Sequence, residues 1–227
     1  ADDLNREGRY RAVYANIEAA QAARERVDVG MAAVVQAIAN SARWSLQDET
    51  AQTLARQVLQ EQAALVGLEG FLTQWCAQSP RPVVLLLDEV DALVGDTLIS
   101  LLRQLRAGYP KRPTQFPQTV ILCGVRDLRD YRIHASSEKT AITGGSAFNI
   151  KAESLRLGDF NAAEVRALLQ QHTVETGQIF TPEALDAVWT LTLGQPWLIN
   201  ALAYEACFRM RDGRDRRQPI AIEQIEQ

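Results

Sequence analysis

The sequence predicts an α/β domain, a parallel sheet with flanking helices, followed by a small all-helical subdomain. Three observations predict it. Val83-Val84-Leu85-Leu86-Leu87 is a continuous apolar run of strand length, the mark of a strand covered on both faces. A helical pattern and a second buried-type run, Thr119-Val120-Ile121-Leu122-Cys123, come next, the order of a right-handed parallel crossover. From Gly158 onward only helical patterns remain, so the expected domains are residues 1–157 and 158–227.

Each element has a local reason. ADDLNREG reads as the last turn of a helix ended by Gly8, and Tyr10 to Ile17 alternates like a strand. A chain that opens this way is expected to have an element upstream. Asp28 to Trp44 carries Met31, Val34, Val35, Ile38 and Ala42 at helical spacing, with Asp28 as the expected cap. Glu49 to Gln78 is a second helical region whose face is Leu65, Leu68, Phe71, Leu72 and Trp75. Gly67 and Gly70 mark a break there, or close packing. Ser79-Pro80-Arg81-Pro82 stops it.

Beyond the apolar run, Asp96 is expected to cap a helix with Leu98, Leu101, Leu102 and Leu105 inward, ending near Gly108. Residues 130–145 read as a polar loop, and Phe148 to Leu157 is expected to add a short strand. Asn161 caps Ala162 to Thr176, and Thr181 caps Pro182 to Thr192. Gly194-Gln195-Pro196 starts a helix over Trp197 to Arg211, and Arg209 to Arg217 reads as a basic, mobile stretch. The final PIAIEQIEQ looks like the start of an element that continues.

Composition narrows the function classes. With 227 residues, 47% apolar and 23% charged, the chain can bury a core without disulfide or metal support. Cys76, Cys123 and Cys207 are widely spaced, contain no CxxC pair and read as reduced cytoplasmic thiols. A formal charge of −4 argues against a nucleic-acid grip built on bulk positive charge. The longest apolar run is far too short to span a bilayer, and the first ten residues hold no apolar signal core. His134 in the polar loop and His172 on the exposed side of a helix read as ordinary surface or packing residues.

The chemistry concentrates in VVLLLDEVDAL. Ligands of doubly wound sheets bind at the carboxyl ends of the strands, and Asp88 and Glu89 fall at such an end. One carboxylate, Asp88, suits a magnesium ion held through its water shell; its neighbour Glu89 suits a base for water attacking a terminal phosphate. Asp91 caps or braces the following turn. The adjacent strand ends in Val125-Arg126, where the planar Arg126 fork suits phosphate oxygens, with Arg129 and Arg132 as competitors. Gly194 and Pro196 sit where a helical lid would bring backbone against a purine. The alternatives are plain: a strand end with a loop, a surface arginine pairing Asp127 or Asp130, and a helix start.

In element order and motifs the chain resembles the AAA+/STAND group of P-loop ATPases. VVLLLDEVDAL looks like their Walker B strand, ILCGVRD like their sensor-one strand, and GQPWLIN like the GxP motif of their helical lid. The run from DEVDALVGDTLISLLRQLRAGYP to GQPWLINALA is similar to bacterial AAA-like ATPase domains. The resemblance implies a P-loop NTPase-like sheet with a helical lid, ATP and magnesium as cofactors, and a nucleotide-dependent switch. Asp88 would be the metal-supporting residue, Glu89 and Arg126 the catalytic pair, and Gly194 and Pro196 the adenine-side residues.

One part of that pattern is missing. A phosphate loop requires GxxxxGK[ST], and none of Lys111, Lys139 and Lys151 stands in one. Lys139 precedes Thr140, but HASSE before it has no glycine. Either the phosphate loop lies upstream in a longer polypeptide, or the chain is a scaffold on a degenerate ATPase fold that assembles with other copies or partner domains. Nucleotide binding by these residues alone is expected to be weak or undetectable. A DNA-linked role would rest only on Arg209, Arg211, Arg214, Arg216 and Arg217, and nucleic-acid binding is not expected.

Overall fold

The computed structural model describes residues 1–125, 153 and 155–227. The chain divides into two compact units, Ala1–Ser154 and Leu155–Gln227. The first is an α/β unit with a parallel sheet and flanking helices. Its sheet has strands β1 (Arg11–Asn16), β2 (Val83–Asp88) and β3 (Thr119–Leu122) in the order β1-β2-β3. Both pairings are parallel, with Tyr14 opposite Leu86 and Leu86 opposite Ile121.

Around the sheet run α1 (Asp2–Glu7), α2 (Val27–Leu46), α3 (Glu49–Glu61), α4 (Ala64–Gln78) and α5 (Gly95–Gly108). Val13, Ala15, Leu85 and Leu87 face a core shared with the apolar stripes of α2 to α5. Phe71 and Trp75 of α4 stack there, ring centroids 5.8 Å apart. The opposite face is less covered: Tyr14 is 48% and Ile121 42% exposed, and Leu86 between them is half-buried. The two edges also differ. Asn5 of α1 clasps the outer edge of β1, its amide donating to the Ala12 carbonyl and accepting from the Ala12 N–H, each at 2.8 Å. Among the described residues β3 pairs on one side only.

Several expected boundaries shift for local reasons. Arg26, not Asp28, is the N-cap of α2: the Arg26 carbonyl already accepts the Gly30 N–H at 2.9 Å, which leaves Asp28 in the first turn. Asp96 is likewise inside the first turn of α5. Val94 is extended and Gly95 turns the chain at φ 54°, so the helix begins before Asp96 can cap it. The 49–78 region breaks at Gln62-Ala63, where the backbone is extended. Gly70 is a close-packing position, since a Cβ there would lie 2.1 Å from the Gln62 amide oxygen, whereas a Cβ on Gly67 would make only ordinary contact, 3.8 Å from Val58.

The second unit contains α6 (Ala162–Thr176), α7 (Pro182–Thr192), α8 (Pro196–Tyr204) and the short α9 (Glu223–Glu226). Asn161 forms a complete capping box with Glu164, and Thr181 caps α7 with Pro182 in its first turn. The helix expected over Trp197–Arg211 is shorter: α8 passes into a π-helical turn over Glu205–Arg209. Of the strand expected at Phe148–Leu157, residues 148–152 and 154 lie outside the described residues, and Glu153 and Leu155 to Leu157 are not in a strand.

Arg209 to Arg217 is not a loose tail. The buried Gln178 amide donates to the carbonyls of Gly213, Asp215 and Gln218, and Arg216 donates to the Gln178 side-chain oxygen at 2.6 Å. His172 is half-buried rather than on an exposed side, edge-on to Phe180 and Phe208. Among the described residues no helix is long and apolar enough to cross a membrane.

Candidate functional site: the carboxyl end of the central strand

The apolar side chains of β2 anchor the strand between its two neighbours and deliver Asp88 to the carboxyl end of the sheet. Asp88 is half-buried and opposite Asn16 of β1. Its carboxylate accepts from the Glu89 N–H at 3.0 Å and from the Tyr14 hydroxyl on the adjacent strand. That hydrogen bond to Asp88, with smaller contributions from burial and nearby charge, raises the Tyr14 pKa above its ordinary value. Tyr14 is the site residue that sequence reasoning missed. It becomes visible only once the register places Tyr14 and Asn16 on the same sheet face as Leu86 and Asp88.

Glu89 turns the chain out of the sheet. Its backbone is left-handed, φ 59° and ψ 40°, a conformation that costs a side-chain-bearing residue about 1–2 kcal/mol. The residue is exposed, and its carboxylate has no hydrogen-bond or ion-pair partner among the described residues. Strain of this kind at a strand end is a pointer toward function.

Asp91 braces rather than caps. One carboxylate oxygen accepts the Val125 N–H at 3.1 Å; the other is buried without a partner. A Cβ on Gly124 would lie 2.3 Å from that second oxygen, which is why a glycine stands there. Backbone bonds from Cys123 to Leu87 (2.8 Å) and from Val90 to Cys123 (3.0 Å) complete the lacing of the β2 and β3 ends. Arg126, the expected phosphate sensor, lies outside the described residues, as do Arg129, Arg132, His134, Lys139 and Lys151.

Gly194 and Pro196 belong to the second unit. Gly194 has φ 87°, its carbonyl accepts the Phe160 N–H at 2.9 Å, and a Cβ there would lie 1.8 Å from the Phe160 carbonyl oxygen. Gln195 caps α8 through a 2.6 Å bond from the Leu198 N–H, and Pro196 occupies the first helical position. Helix initiation and this close approach therefore account for the Gly-Gln-Pro corner within its own unit. Asp88, Glu89 and Asp91 follow one another at the end of β2 with their carboxylates differently engaged, and Gly194 and Pro196 belong to the other compact unit.

Among the described residues no three His, Cys, Asp or Glu side chains could jointly hold a metal ion. A cation at the doublet would therefore have to be held by fewer than three of these groups, with water completing its shell. Burial pushes the Cys76 thiol up to about 12, and it also raises Cys207. Burial and the Asp88 charge raise Cys123. No protein-family model matches this chain, and no curated protein matches its sequence.

Proposed function

We propose that this chain is the distal part of an AAA-like ATP-hydrolysing switch on a P-loop-type fold, with Asp88 and Glu89 as its water- and cation-handling pair. The observation that carries the reading is the left-handed, exposed Glu89 directly after Asp88 at the carboxyl end of the central parallel strand. An unpaired carboxylate is free to accept a proton from a bound water, and a costly backbone conformation is a pointer toward function.

In this reading Asp88, steadied by Tyr14, would hold the hydration shell of a magnesium ion, whose chemistry there is to offset phosphate charge. Glu89 orients water and accepts its proton. Asp91 fixes the backbone from which Arg126 follows, and Arg126 answers to the terminal phosphate. The residues present do not fit ATP by themselves, because the sequence holds no glycine-lysine phosphate cradle. Among the described residues β3 pairs on one side, and Tyr14 and Ile121 are exposed with Leu86 half-buried between them, which leaves room beside this sheet for a further strand and helix carrying that cradle. Gly194 and Pro196 are the residues that the resemblance to AAA-like domains would put on the adenine side.

A scaffold that never binds nucleotide remains the second reading, favoured by how fully local structure explains the Gly-Gln-Pro corner. Calorimetric titration of magnesium-ATP separates them. Residues 1–227 alone are expected to give no measurable heat, whereas a natural polypeptide that adds a glycine-lysine loop ahead of them is expected to bind. No heat from that longer polypeptide leaves only the scaffold. Micromolar binding by residues 1–227 overturns the requirement for the added loop.

A further inference from the structure

The solvent face of α8 carries larger apolar groups than the face it turns inward. Ile199 and, in the following turn, Ala206 and Cys207 are buried. Outward stand Trp197, Tyr204 and Phe208, respectively 70%, 55% and 46% exposed, with exposed Ala201 among them. Positions i, i+4, i+7 and i+11 fall on one stripe of a helix. The π-helical turn at Glu205–Arg209 continues the stripe, and the Tyr204 and Phe208 rings stack at 5.4 Å. A helix stabilised only by its own unit would be the reverse, large groups in and small groups out.

The rim of this stripe carries two arginines, Arg209 and Arg216, the second also donating to the Gln178 side-chain oxygen, and one exposed carboxylate, Glu205. Arg209 lies 5.9 Å from the Tyr204 ring centroid and Arg216 4.7 Å from that of Phe208. Arg217 is paired with Asp215, but Arg209 and Arg216 have no carboxylate partner among the described residues. Single-stranded nucleic acid would need free aromatic faces for its bases. Tyr204 and Phe208 are already engaged, each with the other and with a guanidinium. A symmetric pairing of two copies through this stripe would set each arginine rim against its own kind.

We propose that the Trp197–Ala201–Tyr204–Phe208 stripe is a docking face for an acidic amphipathic helix of a protein partner. The partner's apolar residues pack along the stripe, and its flanking carboxylates meet Arg209 and Arg216. This site is independent of the nucleotide reading and survives its failure.

The test uses the whole chain and a fluorescently labelled helical peptide with leucine at its a and d positions and glutamate on its flanks. Anisotropy is expected to show binding that weakens with added salt and falls about tenfold or more in a Trp197→Ser/Phe208→Ser variant. Arg209→Glu is expected to weaken it comparably, and a peptide with lysine in place of glutamate is expected not to bind. Circular dichroism confirms the fold of each variant, with Trp197→Ser alone as the milder form. Absent binding, equal binding of the lysine peptide, or variants that bind like the parent overturn the proposal. So does oligothymidylate binding that the double variant abolishes, or a dimer that it dissociates.

Discussion

Asp48 and the Asp88-Glu89 doublet are acidic positions at opposite ends of the same parallel sheet, and they use their oxygens in opposite ways. Asp48, buried at the start of α3, accepts two backbone N–H groups from Thr50 and Ala51 on one oxygen. The other oxygen accepts the Trp75 indole N–H at 2.9 Å and the Arg11 guanidinium at 2.7 Å. Its capacity is fully spent inside the protein. Asp88 keeps room beside Tyr14 and the Glu89 N–H, and Glu89 has no partner among the described residues. A carboxylate with nothing left to give holds a fold together; one left open on a strained backbone is available to a ligand.

The largest effect that could break this contrast is on stability. Asp48→Ala should cost about 3–5 kcal/mol in urea unfolding, because Arg11 and the Trp75 N–H are left buried and α3 loses its cap. Asp88→Ala should change stability by no more than about 0.5 kcal/mol. A comparable loss at Asp88 would make it structural too and remove the distinction. In the second unit, Gly194→Ala should cost about 2 kcal/mol or more, through both its positive φ and the Phe160 carbonyl. A neutral Gly194→Ala would free that glycine for a role beyond packing.

Two smaller effects sharpen the comparison. Glu89→Gly should stabilise the chain by about 0.5–1 kcal/mol as the left-handed backbone is relieved, read as a higher urea midpoint at unchanged slope. A destabilised variant would mean the Glu89 side chain holds the structure. The smallest effect is in acid. Burial alone would push the Asp48 carboxyl up, but the Trp75 N–H, the Arg11 charge and the Ala51 N–H outweigh it and hold its pKa below the ordinary 3.8. That stabilisation is fully present above pH 3.8 and is lost as pH falls through the lower folded-state value. Asp48→Asn should therefore flatten this part of the acid-unfolding limb, while Glu89→Gln should leave it in place.

The sequence carried the parts of this contrast that depend on local pattern. The apolar run of β2, the acidic doublet at its end, and the caps Asn161 and Thr181 follow from composition over a few residues. What depends on tertiary register did not: Tyr14 reaches Asp88 only because β1 pairs with β2 in one of several possible alignments. The left-handed state of Glu89 was hidden for a similar reason, since glutamate carries no signal for it, and the surrounding lacing imposes it. Asp28 and Asp96 show the opposite failure, good capping residues displaced into a first turn by backbone that had already begun to wind. The exposed aromatic stripe of α8 read as part of an ordinary helix, because spacing shows that residues share a face and not which face is covered.

The assignment of Glu89 is tested most directly by ATP turnover beside ATP binding in Glu89→Gln, made in a longer polypeptide that adds the phosphate loop the proposal requires. Magnesium-ATP affinity is expected to stay close to that of the unaltered protein while hydrolysis slows about a hundredfold or more. Turnover at the unaltered rate would contradict the assignment.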